Sequence, residues 1–189
     1  MRTSHPVGPG GLLVRRIFLY ARRIGQHAGW VKRNDAGPPR TGGSEKETLV
    51  GFLDYLREAV ARKVEGAPEP AVRTPGVESG TSVLGLAKHL TAVERYYFLG
   101  ADVRSWPGTM RPGAKDTVES VVAAYREAVR QANEVIAGYV DLTAPAPPTA
   151  RKGSEASMRW LLVHMIEETG RHAGHVDILR EQIDGATGR

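Results

Sequence analysis

The chain has 189 residues, enough for one domain with a full core, and its 41% hydrophobic and 25% charged residues suit a globular protein in water. Cysteine is absent, which excludes disulfides, thiolate metal sites and a cysteine nucleophile and leaves nitrogen and oxygen as the ligands of any metal. The formal charge of +5 is unevenly placed: residues 1–40 hold eight Lys/Arg against one acid, and residues 41–189 hold eighteen against twenty. The high pI therefore belongs to an N-terminal arm, and the rest of the chain makes no electrostatic case for specific nucleic-acid binding.

That arm, residues 1–43, is expected to be a flexible basic extension outside the domain at 44–189. Its apolar run from Gly11 to Tyr20 is cut by Arg15 and Arg16, too short for a membrane span and too broken for a signal-peptide centre. A cytoplasmic location is the expectation.

The first domain helix opens at Ser44-Glu45-Lys46-Glu47, where a serine cap and a glutamate three residues on form a capping box. Leu49, Phe52, Leu53, Leu56, Val60 and Val64 then recur at helical spacing, until Gly66 and Pro68 stop the helix. After a loop rich in Pro, Gly and Glu, Thr81 or Ser82 opens a second helix with Val83, Leu86, Leu90, Val93 and Tyr97 on its apolar stripe and Gly100 at its end. A third begins around Asp116-Thr117-Val118-Glu119, with Glu119 as the expected partner of the cap, and runs to about Tyr139 on Val118, Val121, Val122, Tyr125, Val129 and Ile136. A Pro-rich linker leads to a fourth, from about Ser157 to Ile183. No segment alternates with period two, so the expected fold is all-α, a four-helix bundle whose long loops gather at the bundle ends around a pocket mouth.

The fourth helix carries the chemistry. At about 100° per residue, His164, Glu168, His172 and His175 fall within a stripe of roughly 80°. Ionisable groups on a helix otherwise rich in Leu, Val, Ile and Met are costly to bury without a partner, and Glu168 and His172, four apart, can turn a carboxylate and an imidazole toward one ion. His89 sits on the stripe of the second helix between Leu86 and Val93. Taken alone it suits an ordinary hydrogen-bonded core histidine; facing the Glu168/His172 pair it becomes the third candidate ligand. His175 is an alternative ligand or a partner of one, and Asp177 a candidate acceptor for a ligand's second ring nitrogen. Glu94 lies too far round its helix from His89 to share an ion, and Glu167 is a solvated charge or a partner of Arg171. Gly170 and Gly174 suggest notches for a neighbouring helix, and Tyr96, Tyr97 and Trp106 are expected in the core, with a pocket wall as the alternative. No phosphate loop, nucleophile elbow or HExxH run is present.

Two stretches, Ser82–Phe98 (SVLGLAKHLTAVERYYF) and Arg159–Asp177 (RWLLVHMIEETGRHAGHVD), resemble the DinB-like metal-binding superfamily, and more closely its actinobacterial mini-circle branch, over roughly residues 44–185. The resemblance implies a four-helix bundle with one metal ligand on the second helix and two on the last, hence His89, Glu168 and His172. Many members have histidine where this chain has Glu168; the glutamate variant is that of the related mycothiol-dependent maleylpyruvate isomerases. The added negative charge hardens the site, so zinc is only the default among zinc, nickel, manganese and iron. The resemblance further implies a small-molecule substrate, a low-molecular-weight thiol as cosubstrate and room for a homodimer. The leading expectation is a metal-dependent thiol transferase or isomerase with His164 as the catalytic proton carrier. The alternative is a non-catalytic metal- or ligand-binding stress-response protein whose ion is structural.

Overall fold

The computed structural model describes residues 37–40, 42–149 and 156–187; most of the arm expected to be flexible lies outside them. Local signals set the helix starts. The Ser44 hydroxyl accepts from the Glu47 amide while the Glu47 carboxylate accepts from the Ser44 amide, and this box opens α1, Glu45–Glu65. Ser82 caps α2, Val83–Leu99, which Gly100 ends in the left-handed conformation at φ 65°. A one-turn helix that the periodicity gives no sign of, α3, spans Trp106–Thr109. The next helix, α4, Val118–Ala137, is capped by Thr117, but Ser120 and not Glu119 closes the box, because Ser120 is the residue at the third helical position. Ser157 caps α5, Met158–Asp184, and Gly185 ends it at φ 76°. No strand occurs among the described residues; one isolated bridge pairs Pro145 with Ser157 beside the start of α5.

The expected all-α architecture is what the structure shows. α1 lies chiefly against α5 and α2 against α4, and the two pairs meet through α1–α4, α2–α5 and α1–α2. Most predicted stripe residues are buried, among them Leu53, Val60, Val64, Leu86, Leu90, Val93, Tyr125 and Ile136. Each buried Leu or Val contributes about 1.5–3 kcal/mol relative to exposure. Leu49, Leu56, Tyr97 and Val129 are half-buried, and Phe52 is exposed at 41%, since it flanks the stripe that Leu53 occupies.

The core is divided into two apolar clusters. One gathers Val60, Val64, Val83, Leu86, Leu90, Val122 and Val176; the other gathers Leu53, Val93, Phe98, Ile136, Leu161, Leu162 and Met165. Arg57 separates the two clusters along α1, and Glu168, Thr169 and His172 separate them along α5; Glu94 on α2 and Asn133 on α4 lie within the stretch that belongs to the second cluster. Arg57 and Glu94 form a bidentate pair at 2.7 and 2.6 Å, both fully buried, with Asp54 and Asn133 on the remaining arginine nitrogen at 2.8 Å each.

The long connection after α2 does not stay at the bundle end. Thr109 reaches His89 and the Met110 carbonyl passes Gly85 so closely that a Cβ there would collide with it. Residues 101–110 therefore double back along α2 from its last turn to its first, and the pocket expected at the bundle end forms on the flank instead.

Candidate metal centre

His89 comes from the middle of α2 and is 6% exposed. Its Nδ1 lies 2.7 Å from the Thr109 hydroxyl, and that hydroxyl lies 2.6 Å from the Trp106 carbonyl. A threonine has one proton to donate, and the carbonyl can only accept it. Thr109 therefore accepts from His89 Nδ1–H, and the tautomer that results leaves a lone pair on Nε2. This Nε2 faces Glu168 Oε1 at 3.4 Å.

Glu168 and His172 lie one turn apart on α5, with His172 Nε2 3.0 Å from the same Oε1. The two imidazoles stand edge to face at 5.0 Å. His172 Nδ1 is buried with no hydrogen-bond partner among the described residues. One ligand atom from each of His89, Glu168 and His172 lies within 4.8 Å of the others; helical spacing anticipates the Glu168/His172 pair, and the resemblance adds His89.

Burial lowers the pKa of His89 below the ordinary imidazole value, against the pull of Glu168, and it does the same to His172. Burial raises the Glu168 carboxyl, but His172, His89 and Arg171 outweigh it and leave the group below its ordinary value. At neutral pH the trio is two neutral imidazoles and one carboxylate, the protonation state a divalent cation requires. The donor set fits such an ion: two nitrogens and one oxygen suit a borderline or hard cation with positions left open. A cation also resolves the approach of two acceptors, the His89 Nε2 lone pair and Glu168 Oε1.

A family model described as mycothiol-S-transferase matches residues 48–185, which hold α1 from its first turn, all of α5 and all three candidate ligands. The chain belongs to the mycothiol S-transferase family. A comparison with curated proteins finds no match.

The neighbours of this candidate site divide differently from the sequence expectation. His175 is exposed, with its ring 5.5 Å from that of His172, and is not part of the three-residue group. Asp177 serves no ligand: five residues beyond His172, it lies about 140° round the helix and pairs with Lys63 at 2.8 Å. Glu167 pairs with Arg171 as expected, and Arg171 also stands 3.5 Å from Glu168 Oε2. No notch exists at Gly174, which has open space where a Cβ would be, while Gly170 meets Leu56 at ordinary contact distance.

His164, one turn before Glu168, is separate from the trio. Its Nε2 lies 3.0 Å from the Tyr97 hydroxyl, its ring stacks on Trp160 at 5.0 Å, and its Nδ1 is 3.6 Å from Glu167. Tyr96, Tyr97 and Trp106, expected in the core, are partly exposed. They form an edge-to-face chain, 5.0–5.8 Å from ring to ring, running from His89 through Trp106, Tyr96 and Tyr97 to His164. No helix among the described residues is long and apolar enough to cross a membrane. Thr109 and Arg57, two residues on which this centre and its supporting core depend, escape a sequence reading. Only Arg57 leaves a trace, a charge on the apolar stripe between Leu53 and Val60.

Proposed function

We propose that this protein is a metal-dependent enzyme that transfers the sulfur of a low-molecular-weight thiol to a small electrophilic substrate. The observation that carries the reading is the convergence of His89, Glu168 and His172 from two helices, inside the segment that matches a mycothiol transferase family. A divalent ion bound there, zinc by default, would act as a Lewis acid that lowers the pKa of the thiol.

The chain's own residues supply the rest. Thr109 holds His89 in the tautomer that presents Nε2. Arg171 occupies Glu168 Oε2 and leaves Oε1 toward the imidazoles. His164 is the proton carrier: the Tyr97 hydroxyl fixes its Nε2, and Nδ1 is the nitrogen left for exchange. The partly exposed aromatic chain keeps one wall of the site apolar, which favours thiolate attack over hydrolysis of the electrophile.

Elemental analysis of the purified protein should find roughly one divalent ion per chain. His89→Ala and His172→Ala should lose it while retaining helical circular dichroism. A variant that keeps the full metal content removes that residue from the site. Metal-loaded protein that consumes no thiol against a panel of electrophiles, yet melts lower with chelator, would return the ion to a structural role.

A further inference from the structure

The doubled-back loop lies along the seam between α2 and α4 and forms with it an open cavity of about 680 Å³, within the range of small-molecule sites. Its walls are apolar at Ala92, Val103, Val121 and Ala124, and three cations reach it: Lys88, Arg95 and Arg104. Lys88 is already satisfied by Asp116 at 2.7 Å and the Arg111 carbonyl at 3.1 Å. Arg95 and Arg104, both exposed, are not: the side chain of neither makes a hydrogen bond or an ion pair among the described residues. Arg95 is felt at a distance by Glu127, whose carboxylate is taken up by the Arg130 fork. Of the two acids on the wall, Asp116 belongs to Lys88, and Asp102 forms no ion pair with either arginine. The cavity thus combines an apolar body with two uncommitted guanidinium forks, which match the planar oxygens of a carboxylate or phosphate.

Thr109 lines this cavity and also accepts the His89 Nδ1–H. A molecule in the cavity would touch the residue that orients the candidate ligand. We propose that the α2–α4 cavity binds an anionic small molecule with an apolar body, its carboxylate or phosphate seated on Arg95 and Arg104, behind His89 on the side away from the candidate ligand cluster.

The test is calorimetric titration of the full chain with three probes on one phenylpropyl scaffold: 4-phenylbutyrate, 3-phenylpropyl phosphate and the neutral 4-phenylbutyramide. At least one anion should bind tenfold or more tightly than the amide, about 1.4 kcal/mol, and the tighter anion names the headgroup. The double variant Arg95→Gln/Arg104→Gln should lose that preference while its metal content and helical circular dichroism stay unchanged. Equal binding of amide and anions, a preference that survives in the double variant, or no anion binding at millimolar concentration would each overturn the proposal.

Discussion

Replacing Thr109 with valine keeps the shape of the side chain and removes one hydroxyl, the group on which the orientation of His89 turns. In the wild type the hydroxyl accepts from Nδ1–H at 2.7 Å and donates to the Trp106 carbonyl at 2.6 Å. Valine can do neither. His89 is 6% exposed, so water cannot freely replace the lost acceptor. Leaving a buried N–H unpaired costs about 1–3 kcal/mol, and the loss falls on the form that presents Nε2 for binding. Loss of a hydrogen-bond partner behind a metal-bound histidine typically lowers affinity about 10–100-fold, which corresponds to the same range of free energy. Competition of the metal-loaded protein against a calibrated chelator would measure it. Thr109→Val should weaken binding by at least tenfold, and Thr109→Ser, which keeps the hydroxyl, should recover most of that loss. Affinity within twofold of wild type in the valine variant would show that Thr109 does not set the His89 tautomer.

Two further predictions concern the frame that holds the site. Glu94→Leu should destabilise the fold by about 3–5 kcal/mol, because it leaves part of the buried Arg57 guanidinium without its partner; the double variant Arg57→Met/Glu94→Leu should recover most of this, and urea denaturation of all three proteins checks the cycle. A single-variant loss under about 1 kcal/mol would mean that the pair is solvated in solution. Gly85→Ala should push the Met110 carbonyl away from α2, so the variant should retain its helical circular dichroism, melt lower and bind metal more weakly, a pattern that unchanged chelator competition would contradict.

What could be read from the sequence follows the range of the interaction. Ser44 was legible as a cap because a cap and its partner lie within one turn, and Ser82 was one of two candidates; the third predicted helix was capped one residue early, at Asp116 with Glu119, where the structure has Thr117 with Ser120. Glu168 and His172 were legible for the same reason, being four apart on one helix. His89 needed the family resemblance, because a lone histidine between Leu86 and Val93 has the same local pattern whether it binds a metal or a neighbour. Thr109 was not legible at all: its role exists only because residues 101–110 turn back along α2, and no periodicity encodes that path. The Arg57–Glu94 pair joins residues 37 apart in sequence, so each half reads singly as a charge misplaced on an apolar stripe. Asp177 failed through angle, since five residues carry it off the face that His172 occupies.

The position of the polar belt bears on how the site works. Buried ionisable groups cost more than apolar ones of the same volume, yet here Arg57, Glu94, Glu168 and His172 lie inside their helices rather than at the ends, where water would reach them. Mid-helix positions are the most rigid a bundle offers, and a ligand set must be held within about half an ångström. His89, Glu168 and His172 all occupy such positions, whereas Thr109 does not: it ends the one-turn α3 at the close of a long loop. The soft element of the centre is thus the one residue shared with the α2–α4 cavity. A molecule that orders the loop by filling that cavity would tighten the hydrogen bond on His89, and by reciprocity a bound metal would favour the molecule. Coupling between the two sites should therefore pass through Thr109, and metal affinity measured with the cavity filled should exceed that of the empty protein in the wild type but not in Thr109→Val.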